Sequence, residues 1–296
     1  MLDQAQRLRQ MAVENDKNNM SSRADNSNNT SKPRIITITS GKGGVGKSNI
    51  VVNLSIALQK MGKKVMIFDA DIGMGNDDII MGCSSRYNVF DVISKGKEIE
   101  EVVLTGPFGV KLLAGGSALS KVEDLTQDQR DLFLNKLTAL TGFDYIIMDT
   151  GAGVNKSVLG FIACSEDLVI VTTPEPTSLT DAYSLLKAVK HFNIKNSAKV
   201  IINRSLDNNE ATITYNKFNN AVTKFLSMKL EYLGQIGEDK KLSYAVRQQQ
   251  PVIISYPSSQ VAQDINSIAI KIEGIKEKAS GMGLEGLFKK IFSIFS

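Results

Sequence analysis

Six short runs of apolar, mostly β-branched residues punctuate the chain: IITIT (Ile35 to Thr39), KVMIFDAD (Lys64 to Asp71), DYIIMDT (Asp144 to Thr150), DLVIVTTP (Asp167 to Pro174), AKVIINR (Ala198 to Arg204) and LEYLGQI (Leu230 to Ile236). Segments with helical periodicity, such as NIVVNLSIALQKMG and SLTDAYSLLKAVKHF, separate them. Buried strands alternating with helices predict an α/β fold, a mostly parallel twisted sheet with helices on both faces. Such sheets bind ligands beyond the carboxyl ends of their strands, so the residues that follow each run are the place to look for chemistry.

Both ends of the chain depart from this pattern. Residues 15–33, NDKNNMSSRADNSNNTSKP, hold almost no large apolar side chain and cannot repay the entropy of ordering, which predicts a flexible linker. Residues 1–14 contain DQAQRLRQMAV, a helix-favouring segment with Ala5, Leu8 and Ala12 on one side. The body is expected over residues 34–280, followed by a separate amphipathic helix at 281–296. There Leu284, Leu287, Phe288, Ile291, Phe292 and Phe295 recur at three- and four-residue steps, with Lys289 and Lys290 on the other side. Taken alone this reads equally as a core helix or an interfacial membrane anchor. Its terminal position after SGMG, its phenylalanines and its paired lysines favour the anchor. Half-burying the apolar side chains contributes ~5–9 kcal/mol, and each lysine near anionic lipid about 1 kcal/mol. Ordering the segment cancels much of that, so one copy binds marginally and two copies on a dimer gain by avidity.

Composition narrows the function classes. With 296 residues, 42% hydrophobic and 22% charged, the chain suits one large soluble domain with extensions. A net charge of +4 gives no case for nucleic acid as a partner. Cys83 and Cys164 are far apart without metal-ligand spacing and read as two buried thiols. The single histidine, His191, excludes His-based triads and His-rich metal sites, and is expected near a helix end. No leader and no apolar run of membrane-spanning length is visible, so a cytoplasmic location is expected.

The chemistry is concentrated in SGKGGVGKS, Ser40 to Ser48. It fits G-x-x-x-x-G-K-[ST], follows an apolar strand and opens a helix, the context of a P-loop. Gly41, Gly43, Gly44 and Gly46, with Val45 between the last two, let backbone N–H groups converge on phosphate oxygens, and the helix N-terminus adds its dipole. Lys47 is placed to neutralise the β and γ phosphates and Ser48 to hold Mg²⁺. Lys42 is the unusual residue: it sits where the chain leaves the strand and points away from the phosphates its own loop encloses. From spacing alone it is either a solvated surface lysine or a cation that serves a nucleotide across an interface. Carboxylates are expected at nearby strand ends, and FDADIGMGN supplies Asp69 and Asp71 while MDTGAG supplies Asp149.

SGKGGVGKS resembles the deviant Walker A motif of the MinD/ParA (SIMIBI) ATPases, and the likeness extends over roughly Ile35 to Ile272, including IMGCSSRYNVFDVI, TPEPTSLTDAY and RQQQPVI. The resemblance implies ATP/ADP and Mg²⁺ as cofactors and a homodimer in the ATP state, with Lys47 acting in cis and Lys42 in trans. It implies that Asp71 positions the attacking water, that Asp69 and Asp149 contact the metal through its waters, and that Gly151 and Gly153 let the backbone move when γ-phosphate leaves. No segment matches the N-K-x-D of common GTPases; the resemblance instead places Asn203 against adenine, with Arg204 beside it and IGEDKKL, including Asp239, closing that side. Within the family, DTGAG and DQAQRLR are similar to the FlhG type, also called FleN or YlxH, which governs flagellar number and placement. That likeness implies that Asp3, Gln4 and Arg9 stimulate an FlhF-type GTPase, that flagellar basal-body and C-ring proteins are partners, and that the cytoplasmic membrane surface is visited reversibly. A division-site or DNA-partitioning ATPase built on the same core is the alternative; a metal-cluster carrier of the same superfamily lacks the paired cysteines it needs.

Overall fold

The computed structural model describes residues 32–71, 75–115, 125–275 and 282–295. Asp3, Gln4, Arg9 and nearly all of the 15–33 linker lie outside them. In chain order the elements are β1 (Arg34–Ser40), α1 (Lys47–Lys60), β2 (Val65–Ala70), α2 (Asp77–Ile80), α3 (Asp91–Ser94), α4 (Ile99–Val102), β3 (Leu104–Thr105), β4 (Lys111–Ala114), α5 (Gln127–Leu137), β5 (Tyr145–Ala152), α6 (Lys156–Cys164), β6 (Asp167–Thr172), α7 (Pro176–His191), β7 (Ser197–Ser205), α8 (Asn208–Leu226), β8 (Lys229–Gly237), α9 (Lys240–Arg247), α10 (Val252–Ser255), α11 (Gln260–Gly274) and α12 (Leu284–Phe295). All six apolar runs are strands, and they lie in one sheet of order β3-β4-β2-β5-β1-β6-β7-β8. Every pairing is parallel except β3 with β4 at the edge.

The sheet separates two apolar layers because successive side chains of a strand face opposite ways. On β1, Ile35 enters the layer with α6, α7, α8 and α12, while Ile36 and Ile38 enter the layer with α1 and α11. This double burial explains why the central strands read as continuous apolar runs. The β3–β4 pair was not anticipated from the pattern: β3 is two residues long and β4 offers only Leu112 and Leu113 as buried side chains. His191 ends α7, as expected. Cys164 is buried, whereas Cys83 is only half-buried; both thiols are free.

The C-terminal helix departs from the expectation of a separate segment. Leu284, Leu287, Phe288, Ile291, Phe292 and Ile294 are buried in the body's own core layer. The apolar face lies on α5 and α6, where Phe288 meets Phe68 of β2 at 5.1 Å and Phe133 of α5 at 5.0 Å between ring centroids. Phe133 also meets Phe292 at 5.8 Å, and Phe68 meets Phe161 of α6 edge-on at 6.1 Å. Lys289 stays in solvent and pairs with Glu285 at 2.5 Å, as the periodicity predicts, whereas Lys290 is only half-exposed and its charge acts on the buried Cys164 thiol and on Lys195. The face assigned to lipid is thus occupied by protein here, because β2, α5 and α6 present a phenylalanine-lined groove that periodicity cannot reveal. Among the described residues no helix is long and apolar enough to cross a membrane.

A terminal helix held by one face can leave instead of surviving a cavity. Phe288→Ala is therefore expected to strip hydrogen-exchange protection from residues 284–295 while the central strands keep theirs. Global stability in denaturant should fall by less than the ~3–5 kcal/mol usual for a Phe→Ala change in a core that cannot let go.

Candidate nucleotide site

The site begins where β1 ends. The Ser40 hydroxyl donates to the Lys42 carbonyl at 2.9 Å and turns the chain into the loop. Gly44 and Gly46 lie in the left-handed region at φ 78° and 93°, which favours glycine. Gly41 is required for a different reason from the phosphate approach expected of it: a Cβ there would lie 2.1 Å from the Asp181 carbonyl carbon, so glycine lets α7 pack against the loop. Around Gly43 and Gly44 a Cβ would meet nothing within 4 Å, leaving the cradle open. Gly46 caps α1 with no side-chain hydrogen bond, and the first turn carries no acid. The leading N–H groups and the positive end of a 14-residue helix are left for an anion.

Lys47 is buried and donates to Asp149 Oδ1 at 2.5 Å. Asp149 stands beside Asp69 because β2 and β5 pair in that register. Burial pushes the Asp149 carboxyl up, against the Lys47 ammonium and hydrogen bonds from Lys47 and Ser48. Burial, then the Asp149 charge, pushes Asp69 up to about 7, while the Asp71 N–H, which donates to Asp69 Oδ1 at 3.1 Å, opposes the shift. The chain after Asp71 returns onto this group, since a Cβ on Gly75 would lie 2.4 Å from Asp69 Oδ2. Asp71 itself is half-buried and faces the β5 end, where a Cβ on Gly151 would approach its Oδ1 to 3.3 Å. Gly153, at φ 87°, anchors that segment by donating its N–H to the Ser40 carbonyl at 2.9 Å.

One acidic residue escaped the sequence reading. Asp77, the first residue of α2, is fully buried, and neither of its carboxyl oxygens has a hydrogen-bond partner among the described residues. Burial, then Asp149 and Asp69, drive its carboxyl well above the usual carboxylate range, with Lys47 opposing. The only signal in the sequence was an acid following FDADIGMGN, which reads as a helix-start residue.

Lys42 is turned from the phosphate cradle. Its ammonium donates to Glu175 Oε2 and Thr177 Oγ1, each at 3.0 Å, at the start of α7, and its side chain is 40% exposed. Asn203, at the end of β7, is buried beside the loop, and its amide donates to the Val45 carbonyl at 2.6 Å. Its Oδ1 has no partner among the described residues, a buried acceptor suited to an amino group of a base. Arg204 is exposed with its backbone in the left-handed region at φ 58°, and Asp239 caps α9 by accepting from the Lys241 N–H at 2.8 Å.

These features fit a nucleotide carrying a divalent cation. The open cradle, the uncapped helix and Lys47 match phosphates; Ser48, Asp69 and Asp149 offer hard oxygen donors beside them. Among the described residues no three acidic, His or Cys side chains form a ready-made metal cage.

A family model described as an AAA domain matches residues 33–206. The chain belongs to the MinD/ParA family of P-loop ATPases. It is 32% identical to the antiactivator FleN of Pseudomonas aeruginosa over 81% of this chain and 86% of that protein. It is 34% identical to the flagellum site-determining protein YlxH of Helicobacter pylori over 93% of this chain and 98% of that protein. The structure of the septum site-determining protein MinD from Pyrococcus horikoshii, complexed with Mg-ADP, is 25% identical and superposes with a TM-score of 0.63, covering 83% of this chain and 99% of that one.

Asp69 makes unliganded stability depend on pH. A carboxyl raised from 3.8 to about 7 holds a proton in the folded state that the unfolded chain releases, so stability is full at low pH and is lost as pH rises through that window. In the absence of nucleotide and metal, the melting temperature of the wild type should fall between about pH 4 and about pH 7 more steeply than that of Asp69→Asn.

Proposed function

We propose that this chain is an ATP-driven switch that dimerises face to face, associates reversibly with the cytoplasmic membrane, and regulates flagellar number or placement. The observation that carries the reading is the orientation of Lys42. A lysine of a phosphate loop that is held by Glu175 and Thr177, outside its own cradle, cannot neutralise the phosphates in cis. Those contacts are solvent-exposed and so are weak enough to exchange. In the proposed ATP state Lys42 leaves them and meets the triphosphate held by a second copy.

Within one protomer, Lys47 transfers its hydrogen bond from Asp149 to phosphate, and the N–H groups of 41–48 bind the oxygens. Ser48, Asp69 and Asp149 would hold Mg²⁺, which would supply charge neutralisation to the phosphates. Asp71 orients the attacking water, and Asn203 accepts from the adenine amino group through its unpartnered oxygen. Similarity to FleN and YlxH supports the flagellar role and, with it, an FlhF-type GTPase stimulated through Asp3, Gln4 and Arg9, and basal-body or C-ring partners.

The docked α12 supports a conditional membrane contact. Burial contributes roughly 1.5–3 kcal/mol for each large apolar side chain, and ordering costs on the order of 1–2 kcal/mol for each residue. Because six side chains are buried by a helix of 12 residues, the two totals are comparable. Lipid can therefore compete with the groove for the same face, Leu284, Leu287, Phe288, Ile291 and Phe292, while Lys289 and Lys290 meet anionic headgroups.

Lys42→Ala is expected to abolish the dimer seen by sedimentation with a non-hydrolysable ATP analogue and to lose hydrolysis, while ADP binding persists; an unchanged ATP-dependent dimer would falsify the exchange. On anionic vesicles, the wild type should co-sediment with the ATP analogue and not with ADP, and removal of residues 284–296 should eliminate binding. Lipid binding that ignores the nucleotide would leave a constitutive anchor in place of a switch.

A further inference from the structure

We propose that Asp77 is a positioning residue of the metal-bound nucleotide site, a further carboxylate that accepts hydrogen bonds from the waters of a divalent cation held by Ser48, Asp69 and Asp149. The inference rests on the reading of this site as a magnesium–nucleotide site and adds a residue that the motifs do not contain. Its starting point is an unmet requirement. Asp77 is 0% exposed, and neither Oδ1 nor Oδ2 makes a hydrogen bond of normal geometry among the described residues, although the Asp149 carboxyl is close enough to interact with it. A buried carboxyl with neither oxygen satisfied is costly, and an apolar side chain would serve a purely structural position at lower cost.

The surroundings say what kind of partner is absent. Asp77 faces Asp149 and Asp69, and the cation acting on it among the described residues is Lys47, already committed to Asp149. Three carboxyl groups therefore depend on one ammonium, which only Asp149 contacts, an arrangement that calls for further positive charge or for hydrogen-bond donors. A Mg²⁺ ion that keeps several waters supplies both, because its polarised waters are strong donors and need acceptors beyond the first ring of ligands. The placement is also rigid. Asp77 opens α2, whose Met81 N–H returns to the Asp77 carbonyl at 3.0 Å, and the preceding Gly75 is packed against Asp69.

The test measures ADP affinity of the full-length wild type, Asp77→Asn and Asp77→Leu as a function of Mg²⁺ and again in EDTA, with Mn²⁺ binding to the ADP complex followed by electron paramagnetic resonance. Asp77→Asn keeps the shape, and melting curves verify that each variant is folded. The Mg²⁺ concentration needed for half-maximal tightening should rise about tenfold in Asp77→Asn, with a matching loss of Mn²⁺ affinity, while ADP affinity in EDTA stays level or improves because a negative charge has gone. An unchanged metal requirement in both variants overturns the role. So does a parallel loss with and without metal, the signature of a merely structural carboxyl that shares a proton with Asp149. A wild type whose ADP binding ignores Mg²⁺ would remove the magnesium site itself; an ordinary wild-type response with an indifferent Asp77→Asn removes Asp77 alone.

Discussion

The buried pair between Lys47 and Asp149 is the constraint around which the site is arranged. Neither charge can stand alone at that depth, since an unpaired ion in a low-dielectric interior costs several kcal/mol. The pair lets the loop and β5 close on each other before any ligand arrives. It also sets the terms of binding. In the proposed ATP state phosphate takes the ammonium from Asp149, and the freed carboxylate then needs a new cation, which would call for nucleotide and metal together. The parallel register that puts Asp69 beside Asp149 strengthens that demand, because two like charges are held side by side by backbone hydrogen bonds that cannot relax.

The same elements lead from the site to the terminal helix. Asp69 is preceded by Phe68, whose ring touches both Phe161 and Phe288. Asp149 is followed by Gly151 and Gly153, and that segment enters α6, on which α12 lies. Any change at the strand ends is therefore one residue away from the groove that holds the helix on the β2 side and one short turn away on the β5 side. This gives the proposed exchange between body and lipid a physical route, through packed rings instead of distance. The proposed exchange needs only one amphipathic helix, because the groove and a lipid interface ask for the same apolar face.

Much of the site was legible because its chemistry depends on backbone geometry that local sequence controls. Glycines with positive φ at 44 and 46, a lysine at the first helical position and acids at strand ends are read one after another along the chain. Asp69, Asp149, Lys47 and Ser48 do come together, and Asn203 meets the loop. Gly41 meets a further requirement that the sequence did not reveal, because its neighbour is Asp181, 140 positions away by number and in contact only through the packing of α7. Asp77 was missed because an acid at a helix start is the commonest of readings, and only burial makes it unusual. The β3–β4 edge was missed because two half-exposed residues and a pair of leucines carry no period.

The order of apolar runs by itself determined a parallel sheet clothed by helices, and the spacing within SGKGGVGKS determined a phosphate loop, since both follow from the period of a strand and the torsional freedom of glycine. Tertiary structure decided which charges share one volume and which face covers which groove. Whether Leu284 to Phe292 meet lipid or protein, and whether Asp77 meets water or a site, depends on what lies opposite. A linear pattern specifies the apolar face of a helix but not its partner, because many surfaces satisfy the same periodicity and only close packing chooses among them.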